Sequence, residues 1–336
     1  MRKRMQPEFF AEPAGDSRWT SRLAERDPCN PFCSAPYFAV MQEARHQTWV
    51  LGVACGDTLE AGCGAFARSG KLNRYLEIHS APHVPGMLAF WDGLLGFCRE
   101  HRITHLGVNS FASAGAVLPA LPGEQGRVRR WECVMDLGAV DLWERLHTKH
   151  KQRVRKARKA GVKVLAAAGE HSCEQHVALI RASMERRRSR GEFLSDPSET
   201  EIQRLLIRQG AAELFQAVRN GEVLSSVLVT VAAKGAYSHT AGTSPEGMAC
   251  GASHLLNYEI ARGLQSRSMD IYNLGGVQNL DSGLAEYKLR FGARLVELEA
   301  ADFFLGGRLR KGLNAAARWV REIPPRLTPR AAQVSS

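Results

Sequence analysis

The predicted order of secondary-structure elements repeats once along the chain, and this repeat limits the possible folds more than any other feature. Each half reads as a three-stranded meander followed by a helix, a strand, a loop and a final strand. This order predicts an α/β (α+β) fold in which mixed sheets are flanked by helices. The predicted meander strands are 48–55, 59–68 and 71–80 in the first half, and 213–219, 223–233 and 236–242 in the second.

Helical spacing and turn signals place the remaining elements. Leu88, Trp91, Leu95 and Cys98 fall on one face of a predicted helix, which is the pattern of a helix packed on a sheet. The predicted helices are 17–26, 35–45, 86–101, about 140–161, 171–188, 198–209, 252–267 and 307–321. The predicted strands outside the meanders are 103–110, 130–137, 162–168, 269–277 and 293–304.

A chain of 336 residues is long enough for about two domains. We expect a flexible tail at 1–16 and an N-terminal domain at 17–138. A C-terminal domain is expected at 139–305, followed at 306–336 by a basic helix and a disordered Pro-rich tail.

Composition excludes several classes of protein. The chain is 44% hydrophobic and 24% charged, as in an ordinary globular protein. It contains no run of about 18 apolar residues and no signal-peptide pattern, so we expect a cytoplasmic protein without stable membrane insertion. The eight cysteines are scattered without a pattern typical of zinc sites, so we predict no metal and free thiols in a reducing compartment.

The stretch KHKQRVRKARKAGVKV, residues 149–164, carries eight Lys or Arg residues and no acid. The net charge of the chain is +11, which favours an anionic partner. A helix that served only solubility would mix charges of both signs, because like charges repel. We therefore predict that this helix contacts a polyanion, such as tRNA or a nucleotide-linked substrate. A solvated surface is the alternative.

One later stretch, YNLGGVQNLDSGLAEYKLRFGARLVEL at 272–298, resembles the FemABX-like family of peptidyltransferases that lengthen peptidoglycan cross-bridges. The family motif reads YDxGG, followed by FKxxFG. The basic helix, the second meander and the helix at 252–267 agree with the same family. The resemblance is close over 140–305 and loose over 17–137.

This resemblance implies two GNAT-like acyltransferase domains in tandem and an enzyme that forms an amide bond without a cofactor. The donor would be aminoacyl-tRNA, and the acceptor would be an amine of a small peptide, a peptidoglycan precursor or another nucleotide-linked compound. Lys288 matches the Lys of the FKxxFG motif and is the implied catalytic residue. A cation there would stabilise the oxyanion of the tetrahedral intermediate. Two positions depart from the motif: Tyr287 replaces Phe, and Asn273 replaces Asp.

The remaining candidate site residues fall into two groups. Arg residues near the end of the helix at 171–188 either bind a diphosphate on the acceptor or complement the helix dipole. The predicted donor-binding residues are Tyr287, Arg290, Lys151, Arg155, Arg158 and Lys159. The predicted acceptor-binding residues are Arg187, Arg190, Asn273, Gly275 and Gly276.

Two other functions remain possible from the sequence. A GNAT-like enzyme that uses acyl-coenzyme A needs a basic-x-x-Gly loop before its central helix, and Met248 stands where the basic residue belongs. A non-enzymatic RNA-binding protein is the third reading, against which the motif around Lys288 argues. His239 and His254 are candidate bases, although a lone His is more often structural. We expect a third basic surface on the C-terminal helix, with Arg308, Arg310 and Lys311.

Overall fold

The computed structural model describes residues 7–15, 17–82, 88–115, 117–189 and 200–307, and within them all strands join one sheet. The strands of the first half are β1 (Glu8–Pro13), β2 (Gln47–Cys55), β3 (Thr58–Ser69), β4 (Arg74–Ile78), β5 (His105–Val108) and β6 (Glu124–Asp136). Those of the second half are β7 (Lys163–Ala167), β8 (Ala212–Arg219), β9 (Glu222–Val231), β10 (Gly235–Thr243), β11 (Ile271–Val277) and β12 (Arg294–Phe304).

The strand order is β1-β2-β3-β4-β5-β12-β6-β11-β10-β9-β8-β7. Strands β1 to β6 of the first half correspond to β7 to β12 of the second. Exchanging each strand for its counterpart gives the same order read from the opposite edge of the sheet, so the two halves share one topology. Each half contains one parallel pair, β4 with β5 and β10 with β11. The last strands are exchanged, because β12 lies beside β5 and β6 lies beside β11. The predicted repeat of elements is therefore confirmed, whereas the domain boundary at 138/139 stays a prediction.

The described helices pack on this sheet. In the second half, Leu256, Ile260 and Leu264 recur every four residues along one helix and are buried against the sheet and the basic helix. A separate cluster that includes Phe32, Leu205 and Tyr237 joins the two halves. The helices are α1 (Arg18–Arg26), α2 (Ala35–Glu43), α3 (Leu88–Glu100), α4 (Leu142–Arg145), α5 (Thr148–Lys159), α6 (Glu170–Arg188), α7 (Thr200–Arg208), α8 (Pro245–Cys250), α9 (Ala252–Ser266) and α10 (Gly283–Leu289).

The first difference from the sequence-based prediction lies at the N terminus. The segment 1–16 was expected to be a flexible tail, yet Glu8–Pro13 form the edge strand β1. Two adjacent aromatic residues explain this, because they face opposite sides of the strand. Phe9 packs on Phe90 with ring centres 6.2 Å apart, and Phe10 stacks on Trp19 at 4.5 Å.

Three further differences concern element boundaries. The helix expected from about 140 to 161 is two helices, α4 and α5, with N-caps formed by Asp141 and His147. The predicted loop after β10 contains α8, whose N-cap is Ser244. Strand β6 begins at Glu124, six residues before the predicted start at 130. The predicted helix at 307–321, with Arg308, Arg310 and Lys311, lies outside the described residues. Among the helices described, none combines the length and apolar character needed to cross a membrane.

Candidate active site

The candidate site lies where β10 and β11 separate. These parallel strands pair over 235–237 and 271–273 and then diverge. Both strands are irregular at this point: the register of β10 shifts at His239, and β11 carries one extra residue between Asn273 and Gly276. Bulges of this kind redirect side chains and end strand pairing, so they open a gap in the sheet. The gap adjoins the last strand of the first half, β6.

Lys288 reaches this gap from α10. The helix begins at the N-cap Ser282, whose side chain accepts a hydrogen bond from Ala285 N. The half-buried Lys288 Nζ donates a hydrogen bond to Gly276 O at 2.9 Å. Burial disfavours the charged amine and lowers the pKa of Lys288 to about 8. Lys288 is therefore a cation at neutral pH that loses its charge within the range in which enzymes work.

The glycine pair predicted from the motif allows this close approach. Gly275 has φ +82°, a conformation that L side chains rarely adopt. A Cβ atom added to Gly275 would lie 3.1 Å from Ser238 O and 3.5 Å from Lys288 Nζ. A larger residue would therefore fill the gap between β10 and Lys288. Gly276 supplies the carbonyl that holds Lys288.

A fully buried carboxylate, Glu132 on β6, organises the other side of the gap. Glu132 lies opposite Gly276 in the strand register and is 0% exposed. Its Oε2 accepts hydrogen bonds from Asn273 Nδ2 at 2.7 Å and from Ala112 N at 3.0 Å. Its Oε1 accepts a hydrogen bond from Tyr237 OH at 3.1 Å and pairs with Arg130. Glu132 thus links both halves at the site.

Asn273, where the family motif has Asp, is explained by this contact. Its amide nitrogen donates to Glu132, while its Oδ1 accepts a hydrogen bond from Gly275 N at 2.8 Å. An aspartate here would place two buried carboxylates within hydrogen-bond distance. Where the motif has a carboxylate, this chain therefore has an amide that contacts the carboxylate of Glu132 on β6.

Sequence reasoning missed Glu132 and Arg130. The available signal was an acidic residue inside the apolar strand RWECVMDL, because a charged side chain in a central strand needs buried partners. Those partners, Tyr237 and Asn273, are 105 and 141 residues away in the chain. Their proximity could not be read from local patterns.

The two histidines predicted as candidate bases lie in different places. His239 is at the bulge of β10, and burial with a further contribution from His79 lowers its pKa to about 4. His254 lies in the first turn of α9, and burial next to His150 and Arg153 lowers its pKa to about 3. Both imidazoles are neutral at pH 7 and are weak bases, since efficient bases have a pKa near the working pH.

A basic pocket of about 360 Å³ lies beside α10. It brings together Tyr287 and Arg290, both predicted to bind the donor, with Lys149 and Arg153 of α5. The Tyr287 hydroxyl donates a hydrogen bond to Ser253 O at 3.1 Å, which fixes the ring against the start of α9. Gly283, Glu286, Tyr287 and Arg290 recur every three or four positions and line the pocket with one face of α10, whereas Lys288 leaves a different face of this helix towards the gap.

The other predicted donor-binding residues of α5 lie elsewhere. Lys151, Arg155 and Arg158 lie near the Trp143 ring, at 5.9, 5.2 and 5.9 Å from its centre. Lys151 also pairs with Glu144, and Arg158 pairs with Glu259, in addition to these cation–π contacts. Lys159 is exposed at the end of α5. The structure therefore does not bring these four residues to the pocket that holds Tyr287 and Arg290.

Of the predicted acceptor-binding arginines, Arg187 is the last and smallest of the influences on Lys288, whose pKa it lowers by charge repulsion. Arg190 lies outside the described residues. Asn273, Gly275 and Gly276 line the gap directly.

Residues 145–289, which include Lys288 and the gap between β10 and β11, match the model of a family described as Acetyltransferase (GNAT) domain. This segment is similar to a GNAT-type acyltransferase domain. No curated protein sequence matches the chain significantly.

Solved structures share the fold over most of the chain. The crystal structure of FemX is 14% identical, with a TM-score of 0.63, and the match covers 84% of this chain and 93% of FemX. A tandem GNAT protein from the clavulanic acid biosynthesis pathway is 14% identical, with a TM-score of 0.52 and coverage of 89% and 98%. The C-terminal domain of a candidate lysylphosphatidylglycerol synthetase from Agrobacterium fabrum is 12% identical, with a TM-score of 0.50 and coverage of 90% and 96%. These likenesses confirm the predicted α/β fold with tandem GNAT-like halves, and FemX shares that fold.

Proposed function

We propose that the protein transfers an aminoacyl group from aminoacyl-tRNA to an amine of a peptide or peptidoglycan-precursor-like acceptor. The observation that carries this proposal is the position of Lys288. Its ammonium group is held at the gap between β10 and β11 by Gly276 O. The basic pocket with Tyr287 and Arg290 lies on another face of the same helix, α10. The FemX likeness and the lysylphosphatidylglycerol named for another relative support an aminoacyl group as the transferred unit.

In this reaction the neutral amine of the acceptor attacks the ester carbonyl of the donor. A C–N bond forms, the carbonyl oxygen becomes an oxyanion, and the C–O bond to the ribose then breaks. The amine loses a proton, and the leaving ribose oxygen gains one. Lys288 donates one N–H to Gly276 O, which leaves two others for the developing oxyanion. A positioned donor of this kind contributes about a hundredfold or more to the rate.

The start of α9 supports a donor other than coenzyme A. In a coenzyme-A enzyme, free amides at this helix start would bind the pyrophosphate. Here the backbone of α5 covers it, since a Cβ atom on Gly251 would lie 2.7 Å from Arg153 O. Lys156 Nζ also donates a hydrogen bond to Ala249 O at 2.9 Å, which ties α5 to the end of α8. Lys149 and Arg153 remain at the pocket, where they favour a phosphate backbone.

An acyl-coenzyme A donor is the alternative function. It is favoured by the match of residues 145–289 to a family described as acetyltransferases and by the tandem GNAT relative, whose description names AcCoA.

Parallel reactions test the two donors. Radiolabelled aminoacyl-tRNAs and labelled acetyl-coenzyme A are each incubated with the enzyme and a small-molecule extract of the source cell. We expect label to leave the tRNA and to reach an amine. Transfer from the thioester alone would overturn the proposed donor.

Lys288→Ala tests the catalytic residue. We expect turnover to fall about a hundredfold, while binding of charged tRNA is retained, because the oxyanion loses its cation. Binding is measured by filter retention, and folding by thermal denaturation. Unchanged turnover would show that Lys288 is not catalytic.

A further inference from the structure

A groove of about 560 Å³ lies at the end of α3, at the point where the described part of the chain ends. Leu95, Cys98 and Ile103 give it apolar walls from α3 and from the turn after it. The last four described residues, 304–307, line the same groove. The chain beyond Gly307 therefore starts in this groove, and 29 residues follow.

The repeat within the fold identifies the counterpart of this groove in the second half. Leu305 follows β12, and its N–H donates a hydrogen bond of 2.8 Å to Thr104 O, just before β5. Leu137 follows β6, and its N–H donates a hydrogen bond of 2.7 Å to Asp270 O, just before β11. Both leucines are followed by glycine. The chain therefore leaves the two halves of the sheet at equivalent points.

In the second half, the segment that follows this point covers one face of α9. Gln265 Nε2 donates hydrogen bonds of 2.9 Å to three carbonyl oxygens of 137–140. Two turns earlier, the ring of Tyr258 packs on Trp143 of α4, with ring centres 5.5 Å apart. Ala261, which lies between them on the same face, is 0% exposed. Because α5 also packs on α9, this face is buried.

The turns that end α3 and α9 align the two helices. Arg102 has φ +51° and Ser268 has φ +57°, and they occupy the same position in these turns. In each turn, the next residue donates its N–H to the carbonyl oxygen five positions earlier. Each position of α9 therefore corresponds to the position of α3 that is 166 residues earlier.

The matching face of α3 is exposed. Tyr258, Ala261 and Gln265 of the buried face correspond to residues of α3 in the same order, which are Asp92, Leu95 and Arg99. Asp92 and Arg99 are exposed, and Leu95 is half-buried. Leu88, two turns before Leu95 on the same face, is 66% exposed. A helix face that is covered in one repeat and open in the other indicates a missing neighbour.

Residues 308–321 have the sequence pattern of that neighbour. Leu309, Leu313, Ala316 and Val320 recur at helical spacing and form one apolar stripe. The basic residues of 308–321 all fall outside this stripe, and the segment contains no acid. Helix α5 has the same pattern, because its basic residues surround a narrow buried stripe.

We propose that residues 308–321 form a basic amphipathic helix that docks on α3, with its apolar stripe against Leu88 and Leu95. The exposed Asp92 lies between these two leucines, where its charge complements the basic segment. The first half thereby gains a basic helix in the place that α5 holds in the second half. This inference does not depend on the reaction that the protein catalyses.

Arg99 extends the equivalence to polar contacts. It lines the groove, and its counterpart on α9 is Gln265. A guanidinium group has several N–H donors. We therefore expect Arg99 to donate hydrogen bonds to backbone carbonyl oxygens just after Leu305, as Gln265 does to 137–140.

Hydrogen–deuterium exchange of the full chain, followed by mass spectrometry, tests the docking. The probe is the set of backbone amides in 308–321, and the reference is the same segment as a synthetic peptide. Short helices are marginal in water on their own, so the free peptide should exchange rapidly. We expect exchange in the full chain to be about tenfold slower or more, because docking protects the helix.

Variants on both sides of the contact identify the surface that the segment covers. Leu88→Ser with Leu95→Ser alters only the face of α3, whereas Leu313→Ser with Val320→Ser alters only the segment. Each pair should return the exchange of 308–321 to the rate of the free peptide. Thermal denaturation confirms that both variants remain folded.

Two matched controls should keep the protection of the wild type. Leu72→Ser with Leu280→Ser replaces two leucines of other loops, which are 57% and 39% exposed. Asn314→Ser with Ala315→Ser alters the segment outside its apolar stripe.

Exchange of 308–321 in the wild type at the rate of the free peptide would overturn the proposal. So would protection that survives the change on α3, because the segment would then pack elsewhere. Protection that grows with protein concentration would assign a second copy as the partner. Protection that appears only with phosphatidylglycerol vesicles would assign an anionic membrane. Each of these last two outcomes also overturns docking within one chain.

Discussion

At the scale of single residues, the protonation of Lys288 decides whether the site holds a cation that can stabilise the oxyanion. Burial lowers the pKa of Lys288 to about 8, so most molecules carry the charge at pH 7 and few carry it at pH 9. A cation that must stabilise an oxyanion is lost as the pH rises through its pKa.

The first prediction follows from this loss of charge at high pH. We expect kcat to fall above about pH 8 in the wild type, because Lys288 becomes neutral. In Lys288→Arg the charge persists at every working pH, so this fall should shift upward or vanish even if the maximal rate is lower. The pH–rate profiles of both proteins provide the measurement. Identical high-pH limbs would assign the ionisation to another group.

The second prediction concerns the amide of Asn273 beside Glu132. Asn273→Asp would place a second carboxylate 2.7 Å from the first, and we expect it to destabilise the protein by about 3 kcal/mol. Adding Glu132→Gln exchanges the amide and the carboxylate, so at least half of that stability should return. Urea denaturation measures both variants. The exposed Asn279→Asp serves as the matched control, and an equal loss in single and double variants would contradict the pairing.

The candidate site residues that the sequence predicted and the structure brings together lie within one motif. Lys288, Gly275 and Gly276 were predicted because the motif is local. Glu132 and Arg130 were not, since their partners come from β10, β11 and the loop before β6. Their roles depend on strand pairing that connects distant parts of the chain.

At the scale of elements, α5 distributes its positive charge over two surfaces. The sequence predicted a basic helix correctly, but it could not show which residues pack on Trp143. Arg155 and Arg158 lie near that ring, and Arg158 also pairs with Glu259. Lys149 and Arg153 line the pocket next to Tyr287. The solvated surface and the polyanion contact, treated as alternatives from sequence, both fit parts of one helix.

The third prediction separates the two surfaces. A plot of log affinity for charged tRNA against log salt concentration has a negative slope. Lys149→Ala with Arg153→Ala should make that slope less steep by about two, because two phosphate contacts are lost. Arg155→Ala with Arg158→Ala removes the same charge from the Trp143 side and should leave the slope nearly unchanged, while stability falls by about 1 kcal/mol. Filter binding at several salt concentrations distinguishes them. The reverse order of effects would place tRNA on the Trp143 side.

At the scale of the whole molecule, the halves are interlocked by β6 and β12. The sequence indicated the duplication through element order, but it could not reveal the exchange. The order of elements along the chain is the same whether or not the two final strands are exchanged in the sheet. The pairing of β12 with β5 and β6 decides the arrangement. This pairing joins residues 294–304 to strands of the other half.

The fourth prediction tests this interlock. Residues 1–138 and 139–336, produced separately, should each fail to unfold cooperatively, because β5 and β11 lose their neighbours β12 and β6. Produced together, the fragments should associate and recover a single cooperative transition. Gel filtration and thermal denaturation provide the measurements. A monomeric fragment that melts cooperatively would show that the exchange is dispensable.

The exchange of β12 also has a consequence during synthesis. While the ribosome is still translating the second half, β5 has one unpaired edge, and it keeps that edge until 294–304 leave the exit tunnel. An unpaired strand edge can pair with other chains. The nascent protein is therefore most vulnerable to aggregation late in translation, and slow codons or a stalled ribosome shortly before residue 294 would prolong that exposure.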